Sequence, residues 1–388
     1  MLNEQRLLRF YVSVFVAALG LGMYSYFIPV FAQSFGATFL DLGLIGAVCA
    51  LATAVTPMLA GHLADRVNRA WMFSISLIIN AFATFILIFA HSVFEIVILR
   101  LVGGVGMGAF WVTAEILVTD LAPVDQRVKG MGRYSIALAL GALIGPLVGG
   151  LVIEEVGFVD LFMVSLVVIG ISIAQAAIWV IPGYRKRESF PSQVYSGNLP
   201  AFRRLFPWYM MLLCYGAVWG LITAIFPGYA NSVGISAVFI GILFSAFGVT
   251  RIFSYATAHR YLKFGERRTL LAISLMIFAG ILTLAVLPQF LAFLVGMMLI
   301  GGGVGVVFPI TISLISRHFP VEKMGIAIGS FESAVNWGET IGPYLAGFLA
   351  SVTSIGSSFL IMSVFGVLMA TFALKGRTYQ AVGNKEPG

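Results

Sequence analysis

Twelve long apolar runs, divided by short polar breaks, set the pattern of the chain: residues 9–32, 42–62, 71–90, 94–118, 130–153, 159–181, 208–230, 237–258, 269–288, 290–316, 324–349 and 355–374. Each approaches the roughly 20 apolar residues that an α-helix needs to cross a bilayer. The pattern therefore predicts an all-α membrane protein of twelve transmembrane helices, numbered here span 1 to span 12. The first run is long and lacks a small-residue cleavage site, so it is expected to be a retained helix and not a removed leader.

Composition and charge fix the solvent and the orientation. Of 388 residues, 60% are hydrophobic and 10% charged, with a mean hydropathy of +1.01, too few charges to cover a water-facing surface. Lys and Arg favour the cytoplasmic side of short loops. With the N-terminus inside, every one of the 23 basic residues except Arg100 and Arg251 falls in the tails, in the even-numbered breaks or at the span ends beside them. The opposite breaks carry the acids Asp41, Glu95, Glu154, Glu155 and Asp160. The expected location is the cell (cytoplasmic) membrane, with both termini cytoplasmic. The net charge of +7 then reflects orientation in the bilayer, and no nucleic-acid partner is expected.

The chain also repeats itself. "GRYSIALALGALIGPLVGG" (132–150) lies over "GSFESAVNWGETIGPYLAG" (329–347) at an offset of 197, which pairs Gly132 with Gly329, Gly141 with Gly338, Gly145 with Gly342 and Pro146 with Pro343. One helix earlier in each unit, "FAQSFGATFLDLGLI" (31–45) lies over "YANSVGISAVFIGIL" (229–243) at 198. A six-helix unit written twice predicts two pseudo-symmetric bundles, 1–181 and 208–388, joined by a basic cytoplasmic linker, 182–207. Parallel repeats of this kind are one plan of secondary transporters, with the substrate site between the halves.

Enzymatic signatures are missing. The chain has no GxxxxGK[ST], HExxH or CxxC, and the glycines of 103–108 and 301–305 sit within apolar spans, where small residues serve close helix packing. Cys49 and Cys214 also lie within spans, as packing residues. No enzyme activity, metal or cofactor is expected, and the chain is expected to act as a monomer.

Twelve helices in two parallel halves, together with three local motifs, resemble the major facilitator superfamily. "GHLADRVNRA" (61–70) is similar to the family's loop signature between helices 2 and 3: Gly61, Asp65, Arg66 and Arg69 match, while Asn68 and Ala70 depart from it. The resemblance implies that this loop, with Asp120 at the inner end of span 4, clasps the neighbouring half and holds an outward-facing state. "RLVGGVGMG" (100–108) is similar to the helix 4 pattern, which would give Arg100 a part in proton handling; a snorkelling arginine is the alternative. Gly132, Gly141, Gly145, Pro146, Gly149 and Gly150 fit the helix 5 pattern that in the family goes with antiporters. Gly141, Gly145 and Gly149 recur every four residues, a smooth stripe on which a helix of the other half could lie close, while Pro146 kinks the helix.

Proton coupling requires carboxylates that water reaches from either side in turn. Glu332 and Glu339, seven residues apart on span 11, share a face with Asn336 between them. Glu115 on span 4 lies at the depth of Arg133 on span 5, so a structural ion pair between those two is weighed against a substrate or proton role. Arg251 on span 8, near the depth of Glu332, faces the same choice. Glu339 ranks first among the coupling candidates, then Glu332, then Glu115. The family's cavity helices supply Tyr24, Tyr26, Trp111, Tyr215 and Trp219, and span 11 adds Trp337; each could instead be core or lipid-facing. An aromatic, weakly polar site with acids nearby suits amphipathic or cationic compounds. The expected function is proton-coupled export by alternating access, like the drug:proton antiporters, with symport of an organic anion or export of a lipid-type substrate as alternatives.

Overall fold

The computed structural model describes residues 2–64, 67–123, 126–182, 184, 202–318 and 324–375, with some side chains within these segments, among them 311–318 and 324–328, left undescribed. The described chain is helical, without a strand. Among the described residues, eleven helices are long and apolar enough to cross a membrane: spans 1 to 10 are Gln5–Gln33, Phe39–Ala60, Arg69–Leu87, Val93–Leu121, Lys129–Val156, Phe158–Val180, Phe206–Ser232, Ala237–Thr257, Arg267–Val286 and Phe290–Val307, and span 12 is Ile355–Lys375. Span 11 is the continuous helix Met324–Val352; the polar stripe of Glu332, Ser333, Asn336 and Glu339 dilutes its apolar character. Most of the linker, including the basic run 185–187, lies outside the described residues.

Proline punctuates the helices in matching places. Span 1 breaks after Ser25 and restarts as Ile28–Gln33 with Pro29 in its first turn, where the missing N–H costs nothing. Its counterpart Pro227, 198 residues on, opens Phe226–Ser232 after a π-helical turn, Leu221–Ile225. The wider turn absorbs the clash a proline ring makes with the carbonyl four residues before it. Gly36 and Gly234, also 198 apart, close these helices with φ of 81° and 84°, a left-handed conformation that disfavours any side chain.

The packing repeats likewise. Span 1 lies on span 5, span 2 on span 4 and span 3 on span 4; span 7 lies on span 11, span 8 on span 10 and span 9 on span 10. Two six-helix bundles result, meeting where span 2 touches span 11 and span 5 touches span 8. The bundle has a basic end, where the chain begins, and a far end. At the far end span 2 and span 11 approach to backbone contact: a Cβ on Gly43 would stand 2.6 Å from the Pro343 carbonyl oxygen, and one on Gly347 would stand 2.4 Å from that of Phe39. Toward the basic end, Met58 on span 2, Ile136 on span 5 and Tyr255 on span 8, on the faces turned to the other half, are all at least half exposed. The halves close on one another at the far end and part toward the basic end.

The glycine stripe of span 5 meets a different partner from the one the sequence suggests. A Cβ on Gly141 would meet Ala18 and the Phe15 carbonyl, one on Gly145 would meet Gly22 and Leu19, and one on Gly149 would meet Met23. All of these lie on span 1 of the same half. Contact with the other half uses a neighbouring face, where a Cβ on Gly150 would stand 2.4 Å from the Ala237 carbonyl oxygen and one on Gly241 the same distance from that of Pro146. The repeat of four fixes one face of span 5, and that face is spent inside its own bundle. Gly145→Ala is therefore expected to lose about 1–3 kcal/mol through overpacking, while Gly132→Ala, with nothing within 4 Å of its Cβ, should gain roughly 0.5–1 kcal/mol of helix stability. Thermal unfolding in detergent measures both, and a Gly145→Ala protein as stable as the parent would contradict the contact.

Candidate functional site

The aromatic candidates gather beneath the far-end closure. Tyr26, at the break in span 1, stacks on Phe244 of span 8 with ring centroids 4.2 Å apart, a ring contact that crosses between the halves. Phe226 packs edge-on against the same Phe244 at 6.1 Å, so the break beside each proline feeds a ring into one cluster. Tyr215 and Trp219, four residues apart, share a face of span 7, and Trp219 leans on Phe247 at 5.8 Å. Tyr24 is buried in the first half, edge-on to Phe162 at 6.2 Å.

Arg251 joins this cluster. Its guanidinium carbon lies 4.5 Å from the centre of the Trp219 ring, a cation–π contact that gains weight where water is scarce. Tyr26, Tyr215 and the half-buried Glu339 all lie within its electrostatic reach. No ion pair within 4.0 Å joins Glu339 to Arg251, so the arginine rests on the ring and leaves the carboxylate unpaired. Trp337 is 57% exposed and stands on the opposite face of span 11 from Glu339, since two residues turn a helix by about 200°; it does not join the cluster. Asn336 is half-buried beside Glu332 and Glu339.

Nearer the basic end, Glu115 and Glu332 are both exposed and lie within electrostatic reach of one another. The expected Glu115–Arg133 ion pair is not formed: no such contact within 4.0 Å exists, and Arg133 is exposed, nearer Tyr11. Equal depth put the two residues at one level, but Glu115 faces across to the other half. Arg100 is half-buried close to Tyr24, and its Nε is buried without a hydrogen-bond partner.

The loop motif is described in part. Gly61 lies on the span 2 helix, while Asp65 and Arg66 lie outside the described residues. Asp120 does not reach the other half. Arg69 Nη1 donates to both of its carboxylate oxygens at 2.9 and 2.8 Å, and the Tyr184 hydroxyl donates a short hydrogen bond to the same carboxylate. Arg69 and Asp120 are each under 10% exposed. Burial first, and then the Asp120 carboxylate, push the Tyr184 phenol above its ordinary value, so it stays a proton donor across the physiological range. Asn68, where the family pattern has glycine, caps span 3: its Oδ1 accepts from the Ala70 and Trp71 N–H groups at 2.9 and 3.4 Å. An asparagine just before an apolar run signals such a cap, whereas nothing in the spacing links Tyr184 to Asp120.

An apolar groove of about 580 Å³ between spans 2, 3 and 4 is walled by Leu51, Val55, Leu59, Ile75, Leu101 and Val105. It holds none of the charged candidates and has the character of a lipid-facing surface.

The model of the Major Facilitator Superfamily matches residues 10–214 and 208–388. An uncharacterised MFS-type transporter of Methanocaldococcus jannaschii is 23% identical over 373 residues, 94% of this chain and 96% of that protein. The quinolone resistance protein NorA of Staphylococcus aureus is 29% identical over 144 residues, 37% of each chain. Among solved structures, the nucleoside transporter NupG superposes with a TM-score of 0.78 at 15% identity, over 97% of this chain and all of that one. A bacterial homologue of the human lysosomal transporter Spinster, in an inward-facing and unoccupied conformation, gives 0.75 at 16% identity over 98% and 99%.

Asp120→Asn is expected to lower stability by about 3–5 kcal/mol, because the buried Arg69 guanidinium loses the charge of the carboxylate that accepts two of its hydrogen bonds. Tyr184→Phe removes one hydrogen bond and should cost about 1 kcal/mol. Thermal unfolding of the two variants in micelles separates these values; equal losses would show that the ion pair is not the main tie.

Proposed function

The chain belongs to the Major Facilitator Superfamily and is a multi-pass membrane transporter; on that premise we propose that it exports small amphipathic or cationic compounds in exchange for protons. The observation that carries the reading is the set of carboxylates between the halves. Glu115, Glu332 and Glu339 stand on facing walls, and none has an ion-pair partner within 4.0 Å among the described residues. Such groups can take up either a proton or the positive charge of a substrate, and competition between the two is the chemistry of antiport. The positive-inside distribution supports a basic end in the cytoplasm, with both termini there and the protein in the cell membrane; on this reading the open end draws substrate from inside the cell. Halves of 1–181 and 208–388 rock about the far-end contact, the linker 182–207 joining them on the cytoplasmic side, and one chain suffices for the cycle. The likeness to NorA, named for quinolone resistance, supports export.

Residue roles follow from position. Glu339, deepest and closest to the aromatic cluster, is the main proton carrier. Glu332 and Glu115 receive substrate near the entrance, where Trp111, 38% exposed and one turn from Glu115, offers a ring to a cation. Arg100 orders Tyr24 and the proton path of the first half. A second reading, symport of an organic anion with a proton, is favoured by Arg251 lying over Trp219, a planar cation positioned to grip a carboxylate.

In inverted vesicles with an acidified lumen, a lipophilic cation added outside is expected to collapse the pH gradient, and Glu339→Gln is expected to abolish the response while the protein stays folded. Intact coupling in that variant would transfer the role to Glu332 or Glu115. Proton release driven only by an anion preloaded in the lumen would establish the symport reading instead.

A further inference from the structure

Span 2 and span 8 are repeats of one another, and their far-end N-termini are capped in different ways. At span 2 the cap is internal. The Thr38 N–H and hydroxyl donate to Asp41 Oδ2 at 2.8 and 2.7 Å, and the Asp41 N–H donates to the Thr38 hydroxyl at 3.3 Å. At span 8 the residue in register with Asp41 is Phe239, which cannot cap. The missing carboxylate comes from the other half: Glu154, at the far end of span 5, accepts from the Ser236 hydroxyl at 2.8 Å and from the Val238 N–H at 3.3 Å through the same Oε2. Ser236 is the counterpart of Thr38. The position matching Glu154 on span 11 is Ser351, so the arrangement exists on one side of the molecule only.

A second contact lies between the two first-helix repeats. Gln33 and Asn231, 198 residues apart and in register, meet each other. The Asn231 Nδ2 donates to Gln33 Oε1 at 2.9 Å, and the Gln33 Nε2 donates to the Gly228 carbonyl at 3.0 Å. Where spans 2 and 11 close by backbone contact, spans 5 and 8 thus add an anion seated on a helix N-terminus. A carboxylate there is favoured by the helix dipole and by otherwise unpaired N–H groups.

We propose that Glu154 is a charge latch that holds the far end shut: it caps span 8 from the opposite half, and the cap must be broken each time that end opens. The proposal rests on the alternating-access reading, and it makes closure of the far end depend on one side chain that forms no part of the substrate site. Glu154 works beside the Gln33–Asn231 clamp, which lies near the pseudo-twofold axis and restrains both halves equally. The latch sits off the axis, so the span 5–span 8 edge is the one that charge secures, while the span 2–span 11 edge depends on shape.

The test measures which end is open. Spin labels at Val159 and Val286, exposed far-end positions on opposite halves, report their separation in the full chain in nanodiscs, with Cys49 and Cys214 replaced by serine. Glu154→Gln keeps a hydrogen-bond acceptor without the charge and should raise the long-distance population about two- to fivefold. Glu154→Ala, which also loses the hydrogen bonds, should raise it about tenfold. Asp41→Ala removes a cap of the same chemistry from within its own half and should leave the distribution as in the parent. An unchanged distribution in Glu154→Ala overturns the latch whatever the vesicle assay reports. An equal widening in Asp41→Ala overturns it as well, because any lost cap would then serve. Failure of the export reading appears separately, as vesicles that show no proton exchange while the latch variants still widen the far end.

Discussion

A bilayer core offers the backbone no hydrogen-bond partner, and this constraint governs the whole molecule. Each spanning segment must satisfy its N–H and C=O groups internally, so each is helical. Lipid contact removes most of the hydrophobic drive that would press one helix onto another, so association depends on how closely the surfaces fit. Glycine supplies that fit, as at the Gly145–Gly22 contact of spans 5 and 1 and at the Gly43–Pro343 contact of spans 2 and 11. The intrinsic cost of glycine in a helix, close to 1 kcal/mol each, is offset by the approach it permits.

The same constraint explains where irregular and polar groups are found. Helix breaks occur at Pro29 and Pro227, next to the aromatic cluster, where the disturbed backbone is covered by protein. Charges deep within spans are rare, and several of them face other spans or the space between the halves. Arg251 rests on Trp219, Arg69 is neutralised by Asp120, and Glu115 looks toward Glu332. A charge in such surroundings is either compensated or available to a ligand. The unpaired carboxylates belong to the second group, the Arg69–Asp120–Tyr184 cluster to the first.

Closing one end and parting the other follows from how these contacts are distributed. Among the described residues, backbone-level packing and the cross-half hydrogen bonds lie from mid-span to the far end, including one from the Ser245 hydroxyl to the Leu143 carbonyl at 2.8 Å. Toward the basic end, the four spans that line the divide present exposed side chains. Asp120 is tied to its own half, so among the described residues the inner cluster braces the first bundle.

Span number, the doubled six-helix unit and the sorting of basic residues to one end are properties of the one-dimensional pattern, because bilayer thickness sets run length and a repeat survives as register. The sharing of one face by Glu332 and Glu339 was legible as well, because helical spacing fixes it. Sequence spacing gives the direction a side chain takes around its own helix axis; it does not give the neighbour met in that direction. Only the packed bundle decided that the glycine stripe of span 5 meets span 1, that Glu115 faces Glu332 and not Arg133, that Asp120 is shared by Arg69 and Tyr184, and that Glu154 caps a helix of the other half. Each of those pairings joins residues far apart in the chain, and their partners are fixed by the tilt and rotation that close packing imposes on all twelve spans together.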